Sequence, residues 1–181
     1  MDRIQECYKR YVSGDEQALA EIICEYRGSL TLFIYRYVKN ETVAEDIAID
    51  VFSELVFNKY RYNYSVTLKT YLFTIARNRA LSFLRRSRVI EFCELTGNEP
   101  DFSKTPESSL LEKERAKILY EALEKLPKDM MEAVYLVYFE KLTYEQAAKV
   151  LKKNKKQVDN LLYRAKNKLY EILGQEGREL I

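Results

Sequence analysis

Apolar residues recur along this chain at three- and four-residue steps, the spacing that buries one stripe of an α-helix, and there is no strong case for a sheet. A short helix is predicted from Asp2 to about Tyr11, followed by Ser13, Gly14 and Asp15 as a turn and N-cap. A longer helix follows, with Leu19, Ile22, Ile23, Tyr26, Leu30, Phe33, Ile34 and Tyr37 on its buried face, a bend at Gly28 and an end at Asn40. The next begins near Thr42, whose spacing to Glu45 is that of a capping box, and runs to about Phe57. Its inner side is Val43 or Ala44, Ile47, Val51, Leu55 and part of Phe52, and its other side carries Glu45, Asp46, Asp50 and Glu54. From Leu68 to Arg88 the same period places Leu68, Leu72, Ile75, Ala76 and Phe83 in one arc, with Thr70, Thr74, Arg77, Asn78, Arg85 and Arg88 opposite.

Periodicity vanishes in EFCELTGNEPDFSKTPESSLLEKE, where Gly97, Pro100 and Pro106 fall among acids and polar residues, as in a linker. It returns near Ser108 or Ser109 with Leu111, Ile118, Leu119, Ala122, Leu123 and Leu126, breaks at Pro127, and resumes in KDMMEAVYLVYFEK, apolar enough to be buried. Thr143, with Gln146 three residues on, caps a further helix; Lys152 to Asn154 make a turn, and a last helix runs from about Lys155 to Leu173. Ala148, Val158, Leu161 and Leu162 stand where a helix-turn-helix needs a small inner residue and an apolar clamp. The expected fold is all-α: two small helical domains, 1–90 and 109–181, joined by an acidic linker over 91–108, the second containing the helix-turn-helix.

Composition agrees with a folded helical chain, since 181 residues contain only five Gly and three Pro and are 47% hydrophobic. The N-terminus lacks a long apolar core and no run approaches the ~20 apolar residues that span a bilayer, so no membrane insertion and a cytoplasmic location are expected. Cys7, Cys24 and Cys93 are odd in number and far apart, which argues against disulfides or a zinc site. Histidine is absent, removing the commonest general base and metal ligand. A Gly-rich phosphate loop, GxSxG and HExxH are missing, and Glu45 and Asp46, adjacent in sequence, point to different sides of a helix. No catalytic residue, cofactor or metal is expected, and the chain does not read as an enzyme.

The formal net charge is only +2, but its distribution is uneven. No Asp or Glu lies between Leu55 and Ile90, where Lys59, Arg61, Lys69, Arg77, Arg79, Arg85, Arg86 and Arg88 all fall. Tyr60, Tyr62 and Tyr64 share that stretch with Asn58, Asn63 and Ser65 in a loop-like run. Cations neutralise phosphates, Asn pairs with base edges and rings stack on unpaired bases, so nucleic acid suits the segment. A solvated helix face with tyrosines packed beneath it accounts for it as well. From Lys141 to Tyr170 cations again outnumber acids, of which there are only Glu145 and Asp159. Two basic helical units in one short chain suggest one ligand touched at two places.

Taken together, SGDEQALAEIICEY, AEDIAIDVF and TYLFTIARNRALSFLRRSR resemble region 2 of the extracytoplasmic-function group of bacterial sigma-70 family RNA polymerase sigma factors. ALEKLPKDMMEAVYLVYFEKLTYEQAAKVL with QVDNLLYRAKNKL resembles that family's region 4. The resemblance covers nearly the whole chain. It implies a non-catalytic factor that binds core RNA polymerase, at the largest-subunit clamp helices and the flap region, and opens promoter DNA. Glu45, Asp46 and Asp50 would face polymerase. Tyr62, Asn63, Tyr64, Arg77, Asn78, Arg85, Arg86 and Arg88 would serve the minus-ten element, and Lys155, Lys156, Asn160, Tyr163 and Arg164 the minus-thirty-five element. It also admits an anti-sigma factor as a partner. Ile49 stands where Gln is common, Tyr71 where Trp is frequent, and the promoter-reading loop lacks the customary Gly. Lys152 replaces the Gly of the helix-turn-helix turn, so a remodelled turn is expected, and Asp159 and Leu161 replace frequent basic residues. A stand-alone helix-turn-helix regulator and an acid-faced protein adaptor are the competing readings; the first leaves the aromatic, acid-free stretch unexplained and the second predicts no promoter-dependent effect.

Limited proteolysis of the free protein should cut first between about Ile90 and Leu110 and leave two helical fragments, because a segment without periodic apolar residues exposes its backbone. Resistance there with cleavage elsewhere would contradict the linker.

Overall fold

The structure, a computed structural model, describes residues 3–90, 118–119 and 121–174, and all of its regular elements are helical. It falls into two compact units, Met1–Pro100 and Asp101–Ile181. The expected linker with Gly97, Pro100 and Pro106, Cys93, and the helix start near Ser108 or Ser109 with Leu111 lie outside the described residues.

The first unit consists of α1 (Arg3–Val12), α2 (Glu16–Val38), α3 (Glu41–Phe57) and α4 (Leu68–Ile90). Helix α2 is its hub, with α1, α3 and α4 all packed on it. Ile22, Leu30, Phe33 and Ile34 of α2 are buried with Val51 and Leu55 of α3 and Leu68, Leu72 and Phe73 of α4, and the Phe33 and Phe73 rings lie 5.1 Å apart. Asp15 caps α2 by accepting from the Gln17 and Ala18 amides. Helix α2 runs unbroken through Gly28, which is exposed, so the glycine costs propensity without ending the helix. The cap of α3 is Asn40, not Thr42: its Oδ1 accepts from the Val43 amide at 3.0 Å, and Thr42 already lies inside the first turn. Ala44 rather than Val43 supplies the buried contact at the start of α3.

In the second unit, a helical run over 121–124 buries Ala122 and Leu123 and leads through Pro127 to α5 (Lys128–Val134). Ile118, expected on the buried face, is exposed. Helix α5 passes into a π-helical turn, Tyr135–Phe139, closed by the Glu140 amide on the Tyr135 carbonyl at 3.0 Å. The wider turn stacks Tyr135 on Phe139 at 5.5 Å and leaves Tyr138 and Phe139 partly exposed, so the apolar run is not wholly buried. Helices α6 (Tyr144–Leu151) and α7 (Lys155–Leu173) follow, α7 packing on both α5 and α6.

The turn between α6 and α7 is not remodelled. Lys152 itself adopts the left-handed conformation, φ 56 and ψ 43, that glycine would take at no steric cost. Lys152→Gly should therefore stabilise the second unit by about 0.5–1 kcal/mol and Lys152→Val should destabilise it, as read by urea titration. Equal midpoints for all three proteins would contradict a strained turn.

Candidate nucleic-acid interface

The loop 58–67 between α3 and α4 is ordered by its own polar groups. The Arg61 amide donates to the Asn58 carbonyl at 2.8 Å, the Tyr62 hydroxyl to the Val66 carbonyl at 2.6 Å, and the Ser65 amide to Asn63 Oδ1 at 3.1 Å. Tyr64 holds a positive φ of 61. Thr67 starts α4: its Oγ1 accepts from the Thr70 amide at 3.3 Å and shares a hydrogen bond with Thr70 Oγ1 at 2.8 Å. That pairing explains why Thr70, placed in the outward arc by periodicity, is buried.

The tyrosines divide sharply. Tyr60 is 75% exposed with the Lys59 ammonium 5.1 Å from its ring centre, and Tyr64 is partly exposed. Tyr62 departs from the reading that offered it to DNA, since it is 3% exposed and its ring lies 5.1, 4.8 and 5.2 Å from those of Tyr8, Tyr64 and Tyr71. Ring packing takes Tyr62 inside, while Tyr60 and Tyr64 keep exposed surface. Burial first and then the Glu54 carboxylate push the Tyr71 hydroxyl above the usual phenol range.

Helices α3 and α4 meet in an ion-pair network that sequence reading missed. Arg79 donates Nε and Nη2 to Glu54 Oε2 at 3.2 and 2.9 Å, and Nη1 to Asp50 Oδ2 at 2.9 Å. Arg61 adds a contact to Glu54 Oε1 at 3.4 Å. Two cations of the acid-free stretch are thus neutralised by the neighbouring helix, and Asp50 is already paired; Glu45 and Asp46 are exposed. Exposed Ile49 and Phe57 add an apolar component to α3. Beside the network, Glu54, Arg61, Tyr71, Thr74, Asn78 and Arg79 line a shallow groove of about 330 Å³. Arg77 and Asn78 are half-buried, whereas Arg85 and Arg86 are exposed further along α4; the side chain of Arg88 lies outside the described residues.

In the second unit, two capping boxes fix the hairpin. Gln146 accepts from the Thr143 amide at 2.8 Å, Thr143 Oγ1 from the Gln146 amide at 3.2 Å, and Asn154 and Gln157 do the same for α7 at 2.8 Å each. Helix α7 buries Val158, Leu161, Leu162 and Ala165 and exposes Lys155, Lys156, Asn160, Tyr163 and Arg164. Leu161 is thus a core residue. Lys155 is also a brace: its ammonium meets Glu145 Oε1 of α6 at 2.6 Å, and this hydrogen bond holds the Glu145 carboxyl below its ordinary range and raises Lys155. Both groups are exposed, so the pair adds little stability.

Residues 22–89 match the family description "Sigma-70 region 2" and residues 116–169 match "Sigma-70, region 4". The ECF RNA polymerase sigma factor BldN of Streptomyces coelicolor is 26% identical over 97% of this chain and 68% of its own length. The RNA polymerase sigma-H factor of Pseudomonas aeruginosa is 25% identical over 97% and 96%. Among solved structures, the sigma factor RpoE of Bartonella quintana, bound to the anti-sigma factor NepR, superposes with a TM-score of 0.70 at 25% identity over 86% of this chain and 96% of that one. CnrH, in complex with the cytosolic domain of CnrY, shares the fold with a TM-score of 0.69 over 95% and 97% of the two chains, at 19% identity.

Nitration with tetranitromethane should modify the exposed Tyr60 and Tyr163 before the buried Tyr8 and Tyr62, as mapped by peptide mass spectrometry. Early modification of Tyr62 would contradict its placement in the ring cluster.

Proposed function

The chain belongs to the sigma-70 family of RNA polymerase sigma factors, in its extracytoplasmic-function group, and on that premise we propose that it binds core RNA polymerase, directs it to specific promoters and promotes DNA opening there. The observation that carries this reading is the arrangement of the first unit, where α3 presents exposed Glu45 and Asp46 while α4 and its preceding loop present exposed rings and cations.

In this reading Glu45, Asp46 and Asp50 face a basic surface of the polymerase clamp helices, with Ile49 adding buried area on docking. Opening DNA costs base stacking, and the exposed rings of Tyr60 and Tyr64 offset it, since stacking a base on an aromatic ring contributes about 1–3 kcal/mol. Asn78 reads one base edge from the groove, because an amide offers one donor and one acceptor side by side. Arg85 and Arg86 anchor phosphates, with Arg77 beside the reader and Arg88 continuing the basic end. Tyr62 and Asn63 act by shaping the loop. In the second unit α7 enters the major groove of the minus-thirty-five element through Lys156, Asn160, Tyr163 and Arg164, with Lys155 at its N-terminal end. The factor works without catalytic groups of its own, in the cytoplasm where polymerase acts. Structural relatives are bound by regulators, RpoE of Bartonella quintana by the anti-sigma factor NepR, which supports an anti-sigma partner here.

Asn78→Ala should relax selection at one minus-ten position by about 1–3 kcal/mol of discrimination. Arg85→Ala should instead weaken promoter complexes about equally for all sequences and lower their salt dependence by roughly one counterion. Initiation from a minus-ten library and complex stability against salt measure both. An unchanged base profile for Asn78→Ala with an altered one for Arg85→Ala would reverse the assignment of reader and anchor.

A further inference from the structure

The matched region 2 stretch begins at residue 22 and leaves out α1, yet α1 is packed against the loop that carries the base-facing rings. Tyr8 of α1 has no exposed surface. Its hydroxyl donates to the Lys59 carbonyl at 2.6 Å, at the loop's entry and 51 residues away in sequence. Its ring meets those of Tyr62 and Tyr64 at 5.1 and 6.2 Å, both close to edge-on, with Tyr11 behind it at 5.9 Å. Burial, reinforced by the surrounding tyrosines, holds the Tyr8 hydroxyl well above the ordinary phenol range, so it remains a protonated donor. Beyond this contact the loop turns through Tyr64 in the left-handed region, a conformation that a ring-bearing residue keeps only where its surroundings impose it.

We propose that Tyr8 is a positioning residue for minus-ten reading: through it α1 fixes the loop's entry and the turn at Tyr64, and so decides which ring is offered to an unstacked base. The inference rests on the reading of this loop as base-facing. Tyr8 touches no DNA in this scheme. A hydroxyl that merely filled core volume would be neutral towards base choice, whereas one that sets the loop's shape changes the choice of base while leaving the polymerase-facing helix α3 as it was.

The test uses the full chain and two variants. Tyr8→Phe keeps the ring and removes the donor, and Ile22→Val loosens the buried face of α2 without touching the loop's hydrogen bonds. Amide exchange over 58–67 should quicken about fivefold in Tyr8→Phe, the factor that corresponds to one ordinary hydrogen bond. With core polymerase on a minus-ten library, Tyr8→Phe should flatten base preference by a similar factor at unchanged affinity for polymerase, and Ile22→Val should lower thermal stability while preserving the preference. Unchanged loop exchange, equal flattening by Ile22→Val, or a uniform loss across all promoters in Tyr8→Phe would each overturn the role. Quickened exchange in a protein whose wild type directs no initiation would show that the tie exists but that the functional reading is wrong, and would overturn the proposed role with it.

Discussion

Burial of α2 against three partners is the constraint on which the first unit depends, because it fixes the outward direction of two oppositely charged helices. Each fully buried Phe, Leu or Ile in that core contributes about 1.5–3 kcal/mol, and Phe33, Phe73, Ile22, Leu30, Ile34, Leu55, Leu68 and Leu72 are all of this kind. The bridges from Arg79 to Asp50 and Glu54 are partly exposed and contribute on the order of 1 kcal/mol. Packing therefore decides the orientation, and the ion pairs add a specific tie between α3 and α4. Exposed Glu45 and Asp46 of α3 and exposed Arg85 and Arg86 of α4 therefore lie on one compact unit, whose two helices are bridged by Arg79.

The same economy governs the loop. Five tyrosines lie in the loop or beside it, and the structure sorts them: Tyr8 and Tyr62 are buried, Tyr71 is half-buried, and Tyr60 and Tyr64 keep exposed surface. A tyrosine needs a partner for its hydroxyl when buried, and Tyr8 and Tyr62 each find a backbone carbonyl at 2.6 Å. The loop is ordered by side chains because no regular secondary structure crosses it.

Helical periodicity carried most of the fold. The caps at Asp15 and Thr143 and the buried faces of α3 and α7 follow from spacing alone, since those signals are local, whereas Asn154, read as part of a turn, proved to cap α7. Tertiary contacts were not legible. Thr70 is buried because Thr67 claims its hydroxyl, Tyr62 because three rings surround it, and Arg79 is neutralised by residues 25 and 29 positions earlier. The π-helical turn was equally hidden, because an apolar run such as YLVYF has no feature that distinguishes a wider turn from an α-helical one. At the site, the residue types were visible in the sequence, but which of them pack inside and which face outward required the fold.

The central claim is that one chain couples an acidic polymerase-facing helix to two DNA-facing units. It is tested most directly by transcription in vitro from a genomic promoter library with core RNA polymerase, comparing the wild type with a protein in which Asp46 and Asp50 are reversed to Lys. The account predicts initiation by the wild type, dependent on polymerase, at sites sharing two sequence elements a fixed distance apart, and its loss in the folded double variant. Initiation that survives the reversal, or sequence-specific binding at a single element with no effect of polymerase, would contradict it.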